Sequence, residues 1–233
     1  MIQNLIQKKR LQWVVFMAIL SFYCLGMSIF RVYYSGTNHF LFLNWNLFLA
    51  FIPWSLTTLL ILQPKLQENK LLVIAVLGVW LIFFPNAPYI LTDLFHLSHQ
   101  SSMPIWFDLV LILSFAWAGL MYGFLSLLDL EEMLSKFMSN RTIAFISIAF
   151  MFAGSFGIYI GRYLRWNSWD LLNHPAKLLG DIGDRVINPF DHPRTWGITL
   201  FLGIFLSLLF WTFKLVRRGG ENDYAHGKVD EKH

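Results

Sequence analysis

Charged residues are scarce in this chain. Asp, Glu, Lys and Arg make up 14% of its 233 residues, whereas soluble domains carry about 25%. A single cysteine excludes an intramolecular disulfide. The sequence also lacks a glycine-rich phosphate loop, H-E-x-x-H, a paired C-x-x-C and G-x-S-x-G. The low charge predicts a surface that largely faces lipid, and the common motifs of soluble enzymes give no guide to function.

Six long runs without a charged residue predict an all-α, polytopic membrane helix bundle with six transmembrane helices. The runs cover residues 11–30, 32–64, 71–92, 109–128, 142–161 and 195–213. Each has the roughly 20 residues that cross about 30 Å of hydrocarbon as a helix. They lack the alternation of a membrane β-barrel, and lipid offers no partner to free backbone groups. We predict one membrane-embedded helical domain over 1–218 and a polar cytoplasmic tail over 219–233.

The basic residues predict that both termini lie in the cytoplasm. Lysine and arginine are retained on the cytoplasmic side, and Lys8-Lys9-Arg10 precede the first apolar run. Six crossings then leave three outer loops, near residues 31–39, 92–105 and 162–194. We expect a multi-pass protein of the plasma membrane, and topology rather than nucleic-acid binding explains the excess of lysine.

The third outer loop departs from this charge pattern because it carries five basic residues as well as acidic ones. Arginine binds carboxylates and phosphates through a planar fork, so its arginines indicate pairing with the loop's own aspartates or with an anionic ligand. We predict two short interfacial helices in this loop, the first capped by Ser168 and the second opened by Pro175.

Small residues recur at four-residue spacing in the fourth and fifth predicted helices. Gly119 and Gly123 lie in the fourth, and Ala153, Gly157 and Gly161 lie in the fifth. Small residues at this spacing let membrane helices approach closely. The pattern therefore predicts a contact between the two helices at these residues.

Two prolines interrupt the third apolar run. Pro85 and Pro88 remove two backbone donors and free carbonyl groups upstream. The preceding residues 71–84 make only about 21 Å of helix, too short to cross. Either the helix continues with a kink, or it stops and the chain re-enters the bilayer. Broken helices frame binding sites in transporters, and a proline kink without function explains the run equally well.

Polar residues near the predicted outer boundary form the candidate site. Asp93 and His96 are one turn apart, a spacing that can hold a divalent metal or orient a general base. A structural hydrogen-bonded pair is the alternative, and His99 follows one turn later. Asp108 lies near apolar depth, where an unpaired carboxylate costs a few kcal/mol. A metal shared with Asp93, or a salt bridge to an arginine, would offset that cost.

Arg162 and Arg165 are one turn apart at the end of the fifth helix and can point together. They could hold a phosphate head group, or Arg162 could pair with Asp108 or Asp93 to close the bundle. The complete predicted pocket opens on the outer face. Its lining comprises Asn86, Asp93, His96, Asp108, Arg162 and Arg165, with Asn44, Asn46 and Asp170 at its edge. Hydrogen bonding between helices is the alternative role of Asn44 and Asn46.

Three stretches resemble an uncharacterised bacterial family of small polytopic membrane proteins, domain of unknown function 1361. They are FPNAPYILTDLFHL at 84–97, WFD at 106–108 and GRYLRWNSWD at 161–170. The resemblance covers most of the chain, roughly residues 20–215. It implies a bacterial multi-pass membrane protein without an established activity, so it supplies no catalytic residue.

Three functions remain open. A membrane enzyme acting on a lipid-linked or phosphate-bearing substrate would use Asp93 and His96 as metal ligands or base, Asp108 as a second carboxylate and the two arginines as anion holders. A transporter or ligand-binding module would use the broken third helix to frame its site. In a structural or assembly partner, the polar residues only lock the bundle. The enzyme ranks slightly first, and the expected partners are the bilayer and an anionic lipid or lipid-linked substrate.

Overall fold

The computed structural model describes residues 2–97 and 103–230, and side chains within 10–97 and 103–217. This part of the chain contains helices and turns but no strand, which confirms the all-α class. Its α-helices are α1 Ile2–Ser35, α2 Phe42–Leu62, α3 Lys70–Phe83, α4 Asn86–Tyr89, α5 Ile105–Leu134, α6 Asn140–Leu164, α7 Asp170–Asn173, α8 Pro175–Ile187 and α9 Pro193–Asp230. Two 3-10 helices, Pro64–Glu68 and Ile90–His96, precede α3 and follow α4.

Six helical segments of the described chain are long and apolar enough to cross a membrane, as predicted. They are Arg10–Ser35, Phe42–Leu62, Lys70–His96, Ile105–Leu134, Asn140–Leu164 and Pro193–Arg217. The third segment joins α3, α4 and the second 3-10 helix. The predicted tail from residue 219 continues α9 as helix to Asp230, and residues 231–233 lie outside the described chain.

The third span continues through both prolines rather than re-entering. Phe84 and Pro85 keep right-handed helical backbone angles, and the amide of Ala87 donates to the Phe84 oxygen at 3.1 Å. The hydrogen-bond pattern changes here because the prolines lack N–H groups. We call residues 84–90 the proline segment.

Glycines on α5 and α6 face the proline segment and not each other. A Cβ on Gly119 would lie 2.6 Å from the backbone oxygen of Ala87, and one on Gly157 would lie 2.7 Å from Cγ of Pro85. The predicted contact between these helices at their glycines is therefore wrong. The absent side chains instead make room for an irregular segment that lies between α5 and α6.

Two arginine–aspartate pairs, one partly buried and one almost fully buried, hold α1 against α5. Arg10 Nη2 donates to Asp129 Oδ2 at 2.7 Å, and Arg31 Nε donates to Asp108 Oδ1 at 2.7 Å. The same interval of 21 residues separates the two arginines and the two aspartates, which is about 31 Å of helix. That length is close to the hydrocarbon thickness of about 30 Å, so the spacing of the two pairs fits the two surfaces of a bilayer. We name the ends of the bundle the Asp93 end and the Asp129 end.

The predicted third outer loop contains two short helices, α7 and α8. Pro175 opens α8 as predicted. Ser168 does not cap α7, which begins at Asp170 after Trp169 without a side-chain cap. That part of the prediction is wrong, because the Ser168 hydroxyl instead donates to the backbone oxygen of Ile82, just before the proline segment, at 3.3 Å.

Candidate functional site

A buried carboxylate, Asp93, connects three helical elements at the Asp93 end. It is 1% exposed. Arg162 of α6 donates through Nη2 to its Oδ1, and Asn46 of α2 donates to its Oδ2 at 3.0 Å. The guanidinium of Arg162 also bonds to Thr92 Oγ1, from Nε at 3.1 Å and from Nη2 at 2.8 Å, and lies 4.3 Å from the centre of the Tyr89 ring. Of the two alternative pairings of Arg162 within the bundle, the one with Asp93 is present.

His96 lies beside this cluster, with 40% of its side chain exposed. Its Nδ1 is 3.8 Å from Asp93 Oδ1, too long for a hydrogen bond, and 3.3 Å from the Asp93 backbone oxygen. The ring packs against Phe42 at a centroid distance of 5.2 Å. The one-turn spacing therefore brings the two residues together, although the backbone and not the carboxylate makes the contact.

The same two residues are the predicted ligands of a divalent metal. Within residues 2–97 and 103–230, they belong to no group of three His, Cys, Asp or Glu side chains that could hold an ion. An ion at Asp93 would have to compete with the donors from Arg162 and Asn46. His99, the next residue of the predicted series, lies outside the described residues.

Asp108 pairs with Arg31 of α1. Both side chains are almost fully buried, at 1% and 2% exposure. Arg31 donates to both carboxylate oxygens, from Nε at 2.7 Å and from Nη2 at 3.3 Å, and its guanidinium lies 4.5 Å from the centre of the Phe40 ring. The alternative in which Arg162 pairs with Asp108 is wrong. Asp108 also lines neither of the two cavities described next.

The first of these cavities has a volume of about 300 Å³ and lies between α2, the proline segment, α6 and the two surface helices. We call it the apolar cavity. Aliphatic and aromatic side chains form most of its wall, and it follows α6 from Ala153 to Gly161, about 12 Å along the helix. Polar side chains reach it from Asn46, Asn86, Asn167 and Ser168. The broken third helix thus forms one wall of a cavity.

Asn86 ties the proline segment to the chain before α7. Its Nδ2 donates to the Phe83 oxygen at 3.0 Å and to Ser168 Oγ at 2.9 Å. The Nδ2 of Asn46 donates a hydrogen bond to Asp93. The side-chain oxygens of both asparagines accept no hydrogen bond from the described residues. Two of the predicted pocket residues therefore present unused acceptors on the wall of one cavity.

Asn44 lies outside this cavity. Its Nδ2 donates to Ser28 Oγ at 2.7 Å and to the Leu41 oxygen at 3.3 Å, which joins α2 to α1. Its predicted place at the edge of the pocket is wrong, because Asn44 and Asn46 are two residues apart and so point in different directions from the helix. The alternative role, a hydrogen bond between helices, is the one it has.

Arg165 is turned away from Arg162. Because α6 ends at Leu164, Arg165 is free to adopt left-handed backbone angles, φ 61° and ψ 30°. It lines a second cavity of about 310 Å³, which we call the basic cavity. The other lining residues are Leu164, Trp166, Asp170, His174 and Lys177. The predicted convergence of the two arginines is wrong, and Arg165 and Asp170 share a cavity that excludes the other predicted site residues.

Two partly buried ion pairs at the Asp129 end are missing from the predictions. Asp129 accepts from Arg10 and, at 2.8 Å, from Thr57 Oγ1. Glu131 accepts from Lys214 and, at 2.7 Å, from Ser147 Oγ. Asp129 follows the uncharged run 109–128 directly, and that position within a longer helix was the available sign of burial.

The bond between Asp184 of α8 and His192, just before α9, is expected to depend on pH. Asp184 accepts from Asn188 Nδ2 at 2.9 Å, and His192 Nε2 lies 2.7 Å from its other oxygen. These bonds, first that from Asn188 and then that from His192, lower the pKa of Asp184. The two bonds to Asp184 are then fully present above the ordinary pKa of aspartate and are lost as the pH falls through the lowered value.

NMR titration of the Asn188 side-chain amide checks this expectation. The amide shift should report a pKa below the ordinary aspartate value, and Asp184→Asn should abolish the titration. A midpoint at or above the ordinary value would contradict it.

The fold and its cavities define a multi-pass helical membrane protein with buried ion pairs near both ends and two cavities at the Asp93 end. The family model described as "Protein of unknown function (DUF1361)" matches residues 45–209. The chain belongs to this family, which confirms the resemblance seen in the sequence. The comparisons with curated proteins and with solved structures find no match. The matched range includes Asp93, Asp108 and Arg162, but not Arg10 and Arg31.

Proposed function

We propose that the chain is a ligand-binding module of a bacterial plasma membrane, and that its ligand is an amphipathic molecule with an apolar chain. The apolar cavity is the observation that supports this proposal. It extends from Ala153 on α6 to Ile182 on the surface helix α8. A cavity with this path passes from the depth of the lipid chains toward the head groups.

The chemistry of the wall specifies the polar part of the ligand. The side-chain oxygens of Asn46 and Asn86 are acceptors without a protein donor among the described residues, so the ligand should supply hydroxyl or amide donors. The neighbouring carboxylate, Asp93, is already neutralised by Arg162. An uncharged donor group therefore suits this cavity better than a cation.

The burial of the aspartates favours binding over catalysis. A general base must come within hydrogen-bond reach of the substrate, whereas Asp93 and Asp108 are both paired with arginines and neither lines the apolar cavity. Below the proline segment, the Trp80 ring packs against Phe84 at a centroid distance of 4.6 Å and against Phe150 at 4.9 Å, so these rings leave no opening for transport between them.

Filling the cavity tests the binding function. Ala153→Trp adds a large side chain at an exposed position on the cavity wall, while Ala149→Trp adds the same group one turn away on α6, outside the cavity. In phosphatidylcholine nanodiscs, 1-monolauroylglycerol should bind the wild type and Ala149→Trp alike. Ala153→Trp should weaken binding about tenfold or more, since each lost 1.4 kcal/mol is a factor of ten. Native mass spectrometry counts the bound lipid, and equal binding by all three proteins would contradict the proposal.

We further propose that the Asp93 end faces the outside of the cell, because the lysines concentrate at the opposite end. Leu172 and Phe137 are 84% and 83% exposed at the two ends, and the native Cys24 is buried. In intact cells, a membrane-impermeant maleimide should label Leu172→Cys at once and Phe137→Cys only after permeabilisation. The reverse pattern would overturn this orientation.

A further inference from the structure

The basic cavity lies directly beside the apolar cavity, and one stretch of chain forms part of both walls. Trp166 lines both cavities. In the same stretch, Arg165 and Asp170 line the basic cavity, whereas Trp169 and Leu171 line the apolar one. A molecule that fills the apolar cavity therefore ends next to the basic groups.

Positive charge predominates around the basic cavity. Arg165 and Lys177 are exposed, and neither has an ion-pair partner among the residues that the structure describes. The one carboxylate of the lining, Asp170, accepts from the backbone and side-chain nitrogens of Asn167 at 2.7 and 3.2 Å. His174 adds a group that can donate. Two full positive charges face one carboxylate whose Oδ2 is already engaged.

The backbone of Arg165 supports a role for its side chain. A positive φ is unfavourable for a residue with a Cβ, and glycine or asparagine is the usual choice at this point of a helix end. Arg165 is the non-glycine residue with positive φ in the described chain. An outlier of this kind is a reason to look for a function of the residue that occupies it.

We propose that the basic cavity binds the phosphate of a lipid whose chain lies in the apolar cavity, with Arg165 and Lys177 as its main contacts. This inference rests on the proposed binding function and names the ligand class as a lipid phosphate. Arginine is suited to two-point contact with phosphate oxygens, and lysine adds a point charge. It also gives a reason for basic residues in a loop that the charge pattern otherwise places outside the cell.

A matched pair of probes tests the inference. Lauroyl-lysophosphatidic acid and 1-monolauroylglycerol share their chain and glycerol and differ in the phosphate. In phosphatidylcholine nanodiscs, the wild-type protein should bind the phosphate-bearing probe about tenfold more tightly. Arg165→Asn, which suits the left-handed backbone, and Lys177→Gln should each reduce that preference, and the double variant should abolish it. Lys65→Gln, an exposed lysine at the Asp129 end, serves as the control.

Binding of 1-monolauroylglycerol separates this inference from the function it rests on. It should be unchanged in the Arg165 and Lys177 variants and weakened only by Ala153→Trp. Equal affinity of the wild type for both probes, or a preference that survives the double variant, would overturn the phosphate site while leaving the apolar cavity in place. Glycerol 3-phosphate that competes as strongly as the lysophosphatidic acid would overturn the lipid form of the ligand.

Discussion

Replacing Gly119 by alanine should destabilise the bundle by about 1–3 kcal/mol, the usual cost of overpacking a tight contact. The added Cβ would lie 2.6 Å from the Ala87 backbone oxygen and 2.9 Å from Cδ1 of Ile90. The Ile90 side chain can rotate, but the Ala87 carbonyl belongs to the proline segment and is fixed by the helices around it. Either α5 or the segment must move, which would also disturb the wall of the apolar cavity.

Gly78→Ala is the matched control, because nothing lies within 4 Å of the added Cβ on that helix. Alanine is preferred over glycine in a helix by about 1 kcal/mol, so this variant should be neutral or slightly more stable. Unfolding in mixed micelles, followed by far-ultraviolet circular dichroism, compares the two. If both substitutions shifted the midpoint equally, the close approach of α5 to the proline segment would not be the cause.

The six helices could be predicted because lipid imposes strong conditions on any segment that crosses it. Length, absence of charge and internal backbone bonding together leave few alternatives. The break at Pro85 and Pro88 could be predicted from proline chemistry as well. The packing of the glycines against this segment could not be predicted, because the glycine spacing indicates a close approach but not which part of the chain approaches.

The sequence predicted which residues come together in the site better than it predicted their partners. Asp93, His96, Asn46 and Arg162 do come together, since their elements all end at one surface. The other contacts depended on details that spacing does not contain. One left-handed residue after α6 turns Arg165 toward a different cavity. Arg31 was placed in a loop because it ends an apolar run, although α1 continues to Ser35 and buries it.

Arg31→Met should cost about 3–5 kcal/mol of stability, because it leaves the carboxylate of Asp108 buried without its arginine. The double variant Arg31→Met/Asp108→Leu removes both charges and keeps apolar volume between α1 and α5. It should recover most of that loss, since replacing a whole buried ion pair by apolar side chains is often neutral. The single variant should therefore be less stable than the double variant, and a double-mutant cycle based on the same unfolding measurement gives the coupling.

The second pair between the same helices provides an internal comparison. The side chain of Arg10 is 12% exposed, against 2% for Arg31, so water can partly solvate the charge left on Asp129. Arg10→Met should accordingly cost less than Arg31→Met. Equal losses of stability in the two single variants would contradict this account. So would a double variant at Arg31 and Asp108 whose loss equals the sum of the losses of its two single variants. The register of α1 against α5 would then come from apolar packing alone.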